Sequence, residues 1–228
     1  MVKKHLKSLT VPVTWPIKRK NNVFVIRPNP GKSFELGMPL GLVFRDLLKY
    51  CKTSREVSNL LRDKEVLVDG RRRIDQKYLV GLMDVLSIPL SGEHYRMLLN
   101  PSNRLHLVKI DAAEASEKLC KIVGKTMISG GKVQLNLFDG RNLLVSEGNY
   151  KVGDTLVLKL PGQEISSILN LEKGATVFLF GGKHVGEHGT VLEIKDGLAK
   201  IKGKAGEFST PTDFVVAIGK EKPLIKID

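Results

Sequence analysis

Residues 53–73, TSREVSNLLRDKEVLVDGRRR, contain the clearest signals of local structure in the sequence. This stretch opens with Thr53 and, three residues later, Glu56. This is a capping box, in which each side chain accepts a hydrogen bond from a backbone N–H group that the helix leaves without a partner. Three apolar side chains at helical spacing then predict one buried edge: Val57, Leu60 and Leu61. The stretch therefore predicts a short amphipathic helix.

A β-hairpin is predicted directly after this helix. Residues 66–68 read Val-Leu-Val, a run typical of a strand, and the Asp69-Gly70 pair that follows favours a tight turn between antiparallel strands. A run of three arginines comes next: Arg71, Arg72 and Arg73. The apolar residues 81–88 predict a further strand beyond the hairpin.

Another helix is predicted before the capping box. Its apolar residues form one stripe that ends near Tyr50: Leu40, Val43, Phe44, Leu47 and Leu48. Three basic residues share a face pointing away from this stripe: Arg45, Lys49 and Lys52. On the second helix Arg55 and Arg62, seven positions apart, also share an outer face. Both helices are therefore expected to be basic on one side, whereas the arginine run taken alone could be a solvated turn.

The charge of the chain narrows the class of partner. Its 228 residues include 37 lysines and arginines against 24 aspartates and glutamates, a formal net charge of +13. Such an excess favours a polyanion, because neutralising phosphates releases condensed counterions. No run of about 18 apolar residues predicts a membrane span. Cys51 and Cys120 have no close-spaced cysteine for a metal site and are expected to be buried thiols. Such thiols are typical of a reducing compartment, so we expect a cytosolic protein.

The amino-terminal segment is basic and has no acidic residue over positions 1–34. Its cationic residues are Lys3, Lys4, Lys7, Lys18, Arg19, Lys20, Arg27 and Lys32. Prolines interrupt any helix there, so we expect an extended arm that becomes ordered along a phosphate backbone. Trp15 and Phe24 could stack on bases, but packing onto the globular part of the protein is favoured for both.

Residues 93–171 are predicted to be rich in β structure. Apolar runs alternate with turn residues and predict antiparallel strands over residues 95–99, 105–110, 133–138, 143–145 and 155–160. Residues 111–118 predict a brief helix that begins at an Asp cap. Gly124-Lys125-Thr126 resembles the end of a nucleotide-binding loop, but Leu119 stands where that motif needs a glycine. The sequence therefore argues against a phosphate-binding loop of this type.

The carboxyl-terminal residues 172–228 predict a small β-barrel with a glycine-rich loop at 181–189. The strands that could form it lie at 177–180, 190–194, 199–201 and 214–218. Glycines in the loop would let a neighbouring backbone or an RNA phosphate approach closely. His184 and His188 have the spacing of helical metal ligands, but the surrounding glycines argue against a helix and no third ligand is in view. Contacts with solvent or phosphate are favoured for both histidines.

Two parts of the chain resemble small RNA-binding modules. The order of two helices, hairpin and Gly81–Ile88 strand resembles the module named after ribosomal protein S-four, in which the helix pair and hairpin present a basic face to folded RNA. Asp63-Lys64 departs from the glycine loop that many members have before the strand. The glycine-rich strand pair resembles the KOW motif of SH3-like barrels in ribosomal proteins and elongation factors, and its hallmark glycine corresponds to Gly189.

Taken as a whole, the chain resembles the small-subunit ribosomal protein family S4e of archaea and eukaryotes, in particular the archaeal form. The stretches that carry the resemblance are Lys3-Lys4-His5-Leu6-Lys7, Gly81–Ile88, Tyr95-Arg96, residues 118–122 and Gly181-Gly182. The resemblance implies an α+β, multidomain fold. Its expected parts are a basic extension at 1–38, an S-four-like module at 39–92, a β-rich central domain at 93–171 and a KOW barrel at 172–228.

The same resemblance implies a structural protein of the ribosome in the cytoplasm. It would bind and stabilise small-subunit rRNA beside neighbouring ribosomal proteins, without catalysis, cofactor, metal, membrane or small-molecule substrate. The residues expected to face RNA are Lys3, Lys4, Lys7, Lys18, Arg19, Lys20, Arg27, Arg45, Lys49, Lys52, Arg55, Arg62, Arg71, Arg72, Arg73, Lys183, His184 and Gly189. Two alternatives are an RNA-modifying enzyme with an S-four-like recognition arm and a transcription elongation factor with a KOW barrel.

Overall fold

The computed structural model describes residues 5–128, 130–146, 148–204 and 206–227. Lys3 and Lys4, which the sequence predicts to face RNA, lie outside these ranges. The chain divides into two compact units. The first contains the described residues up to Leu99 together with Asn103–Ser116, and the second contains Asn100–Ser102 and the residues from Glu117 onward. Among the described residues, no helix is both long and apolar enough to cross a bilayer.

The first unit combines short helices with antiparallel strands. Its helices are α1 (Leu40–Leu42), which continues as a π-helical turn over Val43–Leu47, α2 (Ser54–Asp63) and α3 (Ala112–Ala115). Its strands are β1 (Leu6–Lys7), β2 (Phe24–Val25), β3 (Gly37–Pro39), β4 (Leu67–Val68), β5 (Arg71–Arg72), β6 (Leu79–Gly81), β7 (Val85–Ile88), β8 (Glu93–Leu99) and β9 (Leu105–Ile110). The main sheet has the order β5-β4-β7-β8-β9.

The capped helix and the hairpin are confirmed. The Glu56 N–H group donates to Thr53 Oγ1 at 3.3 Å, while the Glu56 carboxylate accepts from the Lys52 N–H group at 2.8 Å, one residue earlier than a capping box predicts. Asp69 and Gly70 both have positive φ angles, 52° and 72°, as a tight hairpin turn between β4 and β5 requires. Val57 and Leu61 are buried, so the apolar edge of α2 faces the core.

The strand predicted over residues 81–88 is wrong in its extent. A turn containing Met83, with φ of 63°, separates β6 from β7. The buried Asp84 carboxylate holds this turn, because it accepts a hydrogen bond from the Gly81 N–H group at 2.7 Å and forms an ion pair with Lys32. The two strands consequently join different sheets, since β6 pairs with β3 and β7 pairs with β4 and β8.

The strands predicted at 95–99 and 105–110 form, as β8 and β9, but they belong to the sheet of the first unit. β8 pairs with β7 from Val85↔Arg96 to Ile88↔Glu93, so the main sheet continues across the predicted boundary between residues 92 and 93. The structure therefore places the division between the units later than the sequence does. The predicted helix at 111–118 is shortened to α3, because Glu117 and Lys118 already belong to the next strand.

The amino-terminal segment packs against the rest of the first unit and is not the extended arm that the sequence predicts. Trp15 is 1% exposed, and its ring lies 5.2 Å from the ring of Phe34. The segment is bonded to residues outside it, because the Leu105 N–H group donates to the Thr14 carbonyl at 2.8 Å and the Asn29 N–H group donates to the Lys77 carbonyl at 2.9 Å. Packing of Trp15 onto the globular part is thereby confirmed, whereas Phe24 is 57% exposed. Burial of the apolar Trp15 side chain stabilises the packed segment, and a prediction from charge alone does not take this burial into account.

The second unit consists of two five-stranded antiparallel sheets. The strands of the first, in the order β12-β11-β10-β13-β14, are β10 (Glu117–Met127), β11 (Val133–Leu137), β12 (Asn142–Val145), β13 (Thr155–Lys159) and β14 (Glu164–Leu169). The strands of the second, in the order β18-β17-β16-β15-β19, are β15 (Thr176–Leu179), β16 (His188–Lys195), β17 (Leu198–Gly203), β18 (Gly206–Pro211) and β19 (Val215–Gly219).

Most strands of the second unit are confirmed, but β10, β14 and β18 were missed. The register of β10 against β11 shifts between Ile122 and Gly124, and such a bulge interrupts the alternation by which a strand is recognised in sequence. Gly124-Lys125-Thr126 lies inside β10, as a strand and not as a loop before a helix. The described residues thus form a β-rich α+β architecture with few helices.

Lys121 is a buried cation in the second unit. It is 5% exposed, and its ammonium group donates to the backbone carbonyls of Thr212 at 2.7 Å and Asp213 at 2.9 Å. The same group lies 5.8 Å from the centroid of the Phe180 ring. Burial lowers the pKa of Lys121 from 10.5 to about 8, and the nearby Asp213 charge only partly opposes this shift.

We expect Lys121 to make the protein more stable as the pH rises from about 8 to 10. The folded state releases this proton more easily than the unfolded state, so the unfolded state binds more protons in that window and the free energy of unfolding increases. The full shift corresponds to about 3 kcal/mol. The free energy of unfolding in urea is measured for wild type and for Lys121→Met across pH 7–10. The value for wild type minus that for the variant should increase with pH. A constant difference would contradict a lowered pKa of Lys121 in the folded state.

Candidate RNA-binding surface

A concave groove of about 730 Å³ lies in the first unit, between the amino-terminal segment and the turn that follows α1. We call it the basic groove. The amino-terminal segment contributes Pro16, Ile17, Lys18, Asn21, Asn22 and Val25 to its lining. The turn after α1 contributes Arg45, Asp46, Lys49, Cys51 and Lys52. Two segments that the sequence presents as separate basic elements therefore share one site.

The backbone at the end of α1 is unusual and sets where its basic residues lie. The Leu48 N–H group donates to the Val43 carbonyl at 3.0 Å, which is the wider hydrogen bonding of a π-helical turn. Lys49 then adopts a left-handed conformation with φ of 58°, and the Tyr50 N–H group returns to the Phe44 carbonyl at 3.0 Å. The continuous helix predicted as far as Tyr50 is wrong, yet Arg45, Lys49 and Lys52 still meet at one site.

The basic groove carries a net positive charge. Its four cationic side chains are opposed by the single carboxylate of Asp46, which gives a formal charge of +3. Arg45 holds Asp46 through two contacts, Nε to Oδ1 at 3.0 Å and Nη2 to Oδ2 at 2.9 Å. Lys18, Lys49 and Lys52 are exposed, and in the described part of the chain no carboxylate lies within ion-pair distance of them. These three lysines are therefore available to an anion.

The arginines of α2 and the hairpin divide into exposed and structural residues. Arg55, Arg62, Arg71 and Arg72 are exposed. The Arg72 guanidinium donates to the Arg62 carbonyl at 3.1 Å, which ties the hairpin to the end of α2. Arg73 is half-buried, and its guanidinium lies 4.3 Å from the centroid of the Tyr78 ring. The contact with Tyr78 gives Arg73 a structural role that needs no contact with RNA.

The remaining basic residues of the amino-terminal segment also divide in this way. Lys7 and Lys20 are exposed. Arg19 and Arg27 are half-buried and donate to backbone carbonyls, those of Pro12 at 3.0 Å and His5 at 3.4 Å. These two arginines stabilise the path of the segment, so only part of its positive charge is free for a partner.

The candidate residues of the glycine-rich loop lie in the second unit. Lys183 is exposed, while the ring of His184 stacks on that of Phe208 with centroids 3.9 Å apart. Gly189 pairs with Val177 and Gly203, and a Cβ atom there would lie 2.5 Å from the Lys202 carbonyl oxygen. Close packing of the strands thus explains why a glycine stands at position 189. Of these three residues, Lys183 is the most exposed and the most accessible to a partner.

Sequence reasoning missed Asn21, Asn22 and Asp46 as lining residues of the basic groove. The two asparagines stand together inside the acid-free segment, next to three consecutive cationic residues at 18–20. An uncharged polar pair in such surroundings is the signal that could have marked them, because amides can recognise bases where lysines contact only phosphate.

Two family models match parts of the chain. Residues 2–31 match the RS4NT (NUC023) domain and residues 91–165 match the ribosomal family S4e. Proteins named "Small ribosomal subunit protein eS4" are similar to the chain. The one from Methanocaldococcus jannaschii is 40% identical over 99% of this chain and 98% of its own length, and that from Staphylothermus marinus is 42% identical over 99% and 96%.

A solved structure agrees with these relatives. The crystal structure of the 30S ribosomal protein S4e from Thermoplasma acidophilum superposes with a TM-score of 0.71 at 34% sequence identity. The match covers 81% of this chain and 96% of that one. Identity of this level over nearly the full length, together with the shared fold, shows that the chain belongs to the ribosomal protein family S4e.

Proposed function

We propose that the chain is a structural constituent of the small ribosomal subunit that binds and stabilises small-subunit rRNA during translation. The observation that carries the proposal is the basic groove, in which four cationic residues from two segments of the chain line one concavity. Relatives that are similar over nearly their whole length are named as small-subunit proteins, which supports the same conclusion.

The proposed action is binding without chemistry. Lysines and arginines contact phosphates, and many such contacts fix the position of a protein on folded RNA although each one is weak. Half-buried residues such as Arg19 and Arg73 stabilise the fold that presents the exposed cations. We infer that the protein works in the cytoplasm as part of the ribosome, beside neighbouring small-subunit proteins.

We also propose that the exposed residues of α2, the hairpin and the glycine-rich loop extend the RNA contact beyond the basic groove. They are Arg55, Arg62, Arg71, Arg72 and Lys183. The sheet of β15 to β19 is proposed to be the SH3-like KOW barrel. Its support is the five-stranded antiparallel order and the glycine-rich segment between β15 and β16.

Sedimentation tests the proposed function. Lysate from cells that make a tagged full-length chain is fractionated on a sucrose gradient at moderate salt, and the tagged protein is followed by immunoblot. We expect it in the small-subunit and 70S fractions. Sedimentation with RNA polymerase would favour the elongation-factor alternative, and absence from the small subunit would overturn the ribosomal function.

A further inference from the structure

We propose that the basic groove holds one unpaired nucleotide of the bound RNA, with its phosphate at the lysines and its base on the apolar floor beside Asn21 and Asn22. This inference rests on the proposed function, because it assigns one part of the rRNA to one site on the protein. It goes further in giving the groove a base to recognise, whereas a set of phosphate contacts alone would accept any helical backbone.

The shape of the groove favours a single nucleotide over a duplex. Its volume of about 730 Å³ falls within the roughly 300–1,000 Å³ of sites that enclose small ligands. The wide and shallow minor groove of an RNA duplex is read mainly by shape and by contacts to 2′-hydroxyls and phosphates across a surface. Nucleotides in loops and bulges can turn outward, and these are the usual targets of base-specific contacts.

The apolar part of the groove lining, which would form the floor under a bound base, comprises Pro16, Ile17 and Val25. All three are half-buried, so they offer apolar surface to the face of a ring. Proteins that hold a nucleotide outside its helix combine such apolar packing with hydrogen bonds to the edge of the base. Asn21 and Asn22 supply both donors and acceptors for that edge, because each side-chain amide carries an NH₂ group and a carbonyl oxygen.

Hydrogen bonds hold the backbone of the loop that carries the two asparagines. Ser8 is 2% exposed, and its hydroxyl lies within hydrogen-bond distance of the backbone carbonyls of Arg19 and Asn22. The adjacent Arg19 guanidinium donates to the Pro12 carbonyl at 3.0 Å. These contacts hold the backbone of residues 19–22 in place before RNA binds, which lowers the entropic cost of recognising a base.

The lysines that the segment after α1 contributes to the groove suit a phosphate. Lys49 and Lys52 are exposed, and the left-handed backbone of Lys49 follows directly after the π-helical turn. Both features cost free energy in an ordinary protein chain and are frequent at functional sites. Their occurrence together in the lining of the basic groove provides an observation independent of charge.

The experiment compares three RNA hairpins that differ at one position. One is fully paired, one has a single bulged adenosine, and one has a bulged abasic nucleotide that keeps the phosphate but has no base. Binding of each to the full chain is measured by fluorescence anisotropy at fixed salt. For the wild type we expect the bulged adenosine to bind roughly 5- to 20-fold tighter than the abasic bulge, the effect that one or two hydrogen bonds and partial burial of a base provide.

The double variant Asn21→Ala/Asn22→Ala should lose this preference and keep its affinity for the paired hairpin. Asn142→Ala/Asn149→Ala, which changes two exposed asparagines of the second unit, should keep the preference. Equal binding of the adenosine and abasic bulges by the wild type would overturn the inference, and so would a preference that survives in the Asn21/Asn22 variant. Either result leaves the proposed function standing, whereas failure to bind any of the hairpins or rRNA transcripts in dilute buffer would overturn both.

Discussion

Replacing the four cationic residues of the basic groove with glutamine is expected to reduce the salt dependence of rRNA binding by about 3 units of slope. The variant combines Lys18→Gln, Arg45→Gln, Lys49→Gln and Lys52→Gln. Each phosphate contact contributes roughly 0.7 to 0.9 to the slope of log K against log salt, because neutralising it releases a counterion. At physiological salt the loss of four contacts weakens binding by orders of magnitude. Filter binding over about 50–300 mM KCl measures both quantities.

The control for this variant removes the same charge elsewhere. Four exposed lysines of the second unit are changed to glutamine: Lys159, Lys173, Lys195 and Lys220. The net charge of both variants is then equal, so any difference between them reports position and not total charge. If the two variants lowered the slope equally, the basic groove would have no special part in binding.

Replacing Trp15 with alanine is expected to destabilise the first unit by roughly 3–5 kcal/mol, the usual cost of removing a large buried aromatic side chain. Trp15 is 1% exposed and packs against Phe34. Because the same segment carries Lys18, Asn21 and Asn22 into the basic groove, RNA affinity should fall together with stability. Urea unfolding followed by far-UV circular dichroism measures the loss.

Phe24→Ala is the matched control, since Phe24 belongs to the same segment but is 57% exposed. Its effect on the free energy of unfolding should stay within about 0.5 kcal/mol, as for most surface substitutions. Equal stability of the Trp15 and Phe24 variants would mean that the amino-terminal segment does not pack against the first unit in solution.

The local elements of the fold could be predicted from sequence, because their signals lie within a few residues. Thr53 and Glu56 mark the start of α2, and Asp69-Gly70 closes the hairpin. The strand over 81–88 was predicted too long, because its interruption depends on the Asp84 carboxylate and its ion pair with Lys32, far away in the chain. Apolar periodicity contains no information about such a buried polar contact.

The candidate site could be predicted only in part. Charge and spacing predict that its cations face RNA, and Lys18, Arg45, Lys49 and Lys52 do line one groove. That they meet could not be predicted, because the segment around Lys18 was expected to extend away from the protein. The burial of Trp15 and the left-handed turn at Lys49 bring the two walls together, and neither leaves a local pattern in the sequence.

Contact between the basic groove and rRNA can be measured by placing a photo-cross-linking amino acid at position 49 and isolating small subunits that contain the protein. A second protein with the cross-linker at Leu198, which is 49% exposed in the second unit, gives the background. If the basic groove contacts rRNA, irradiation should join position 49 to a few defined nucleotides of small-subunit rRNA. Subunits that contain the protein but yield no rRNA cross-link from position 49 above that background would contradict the claim.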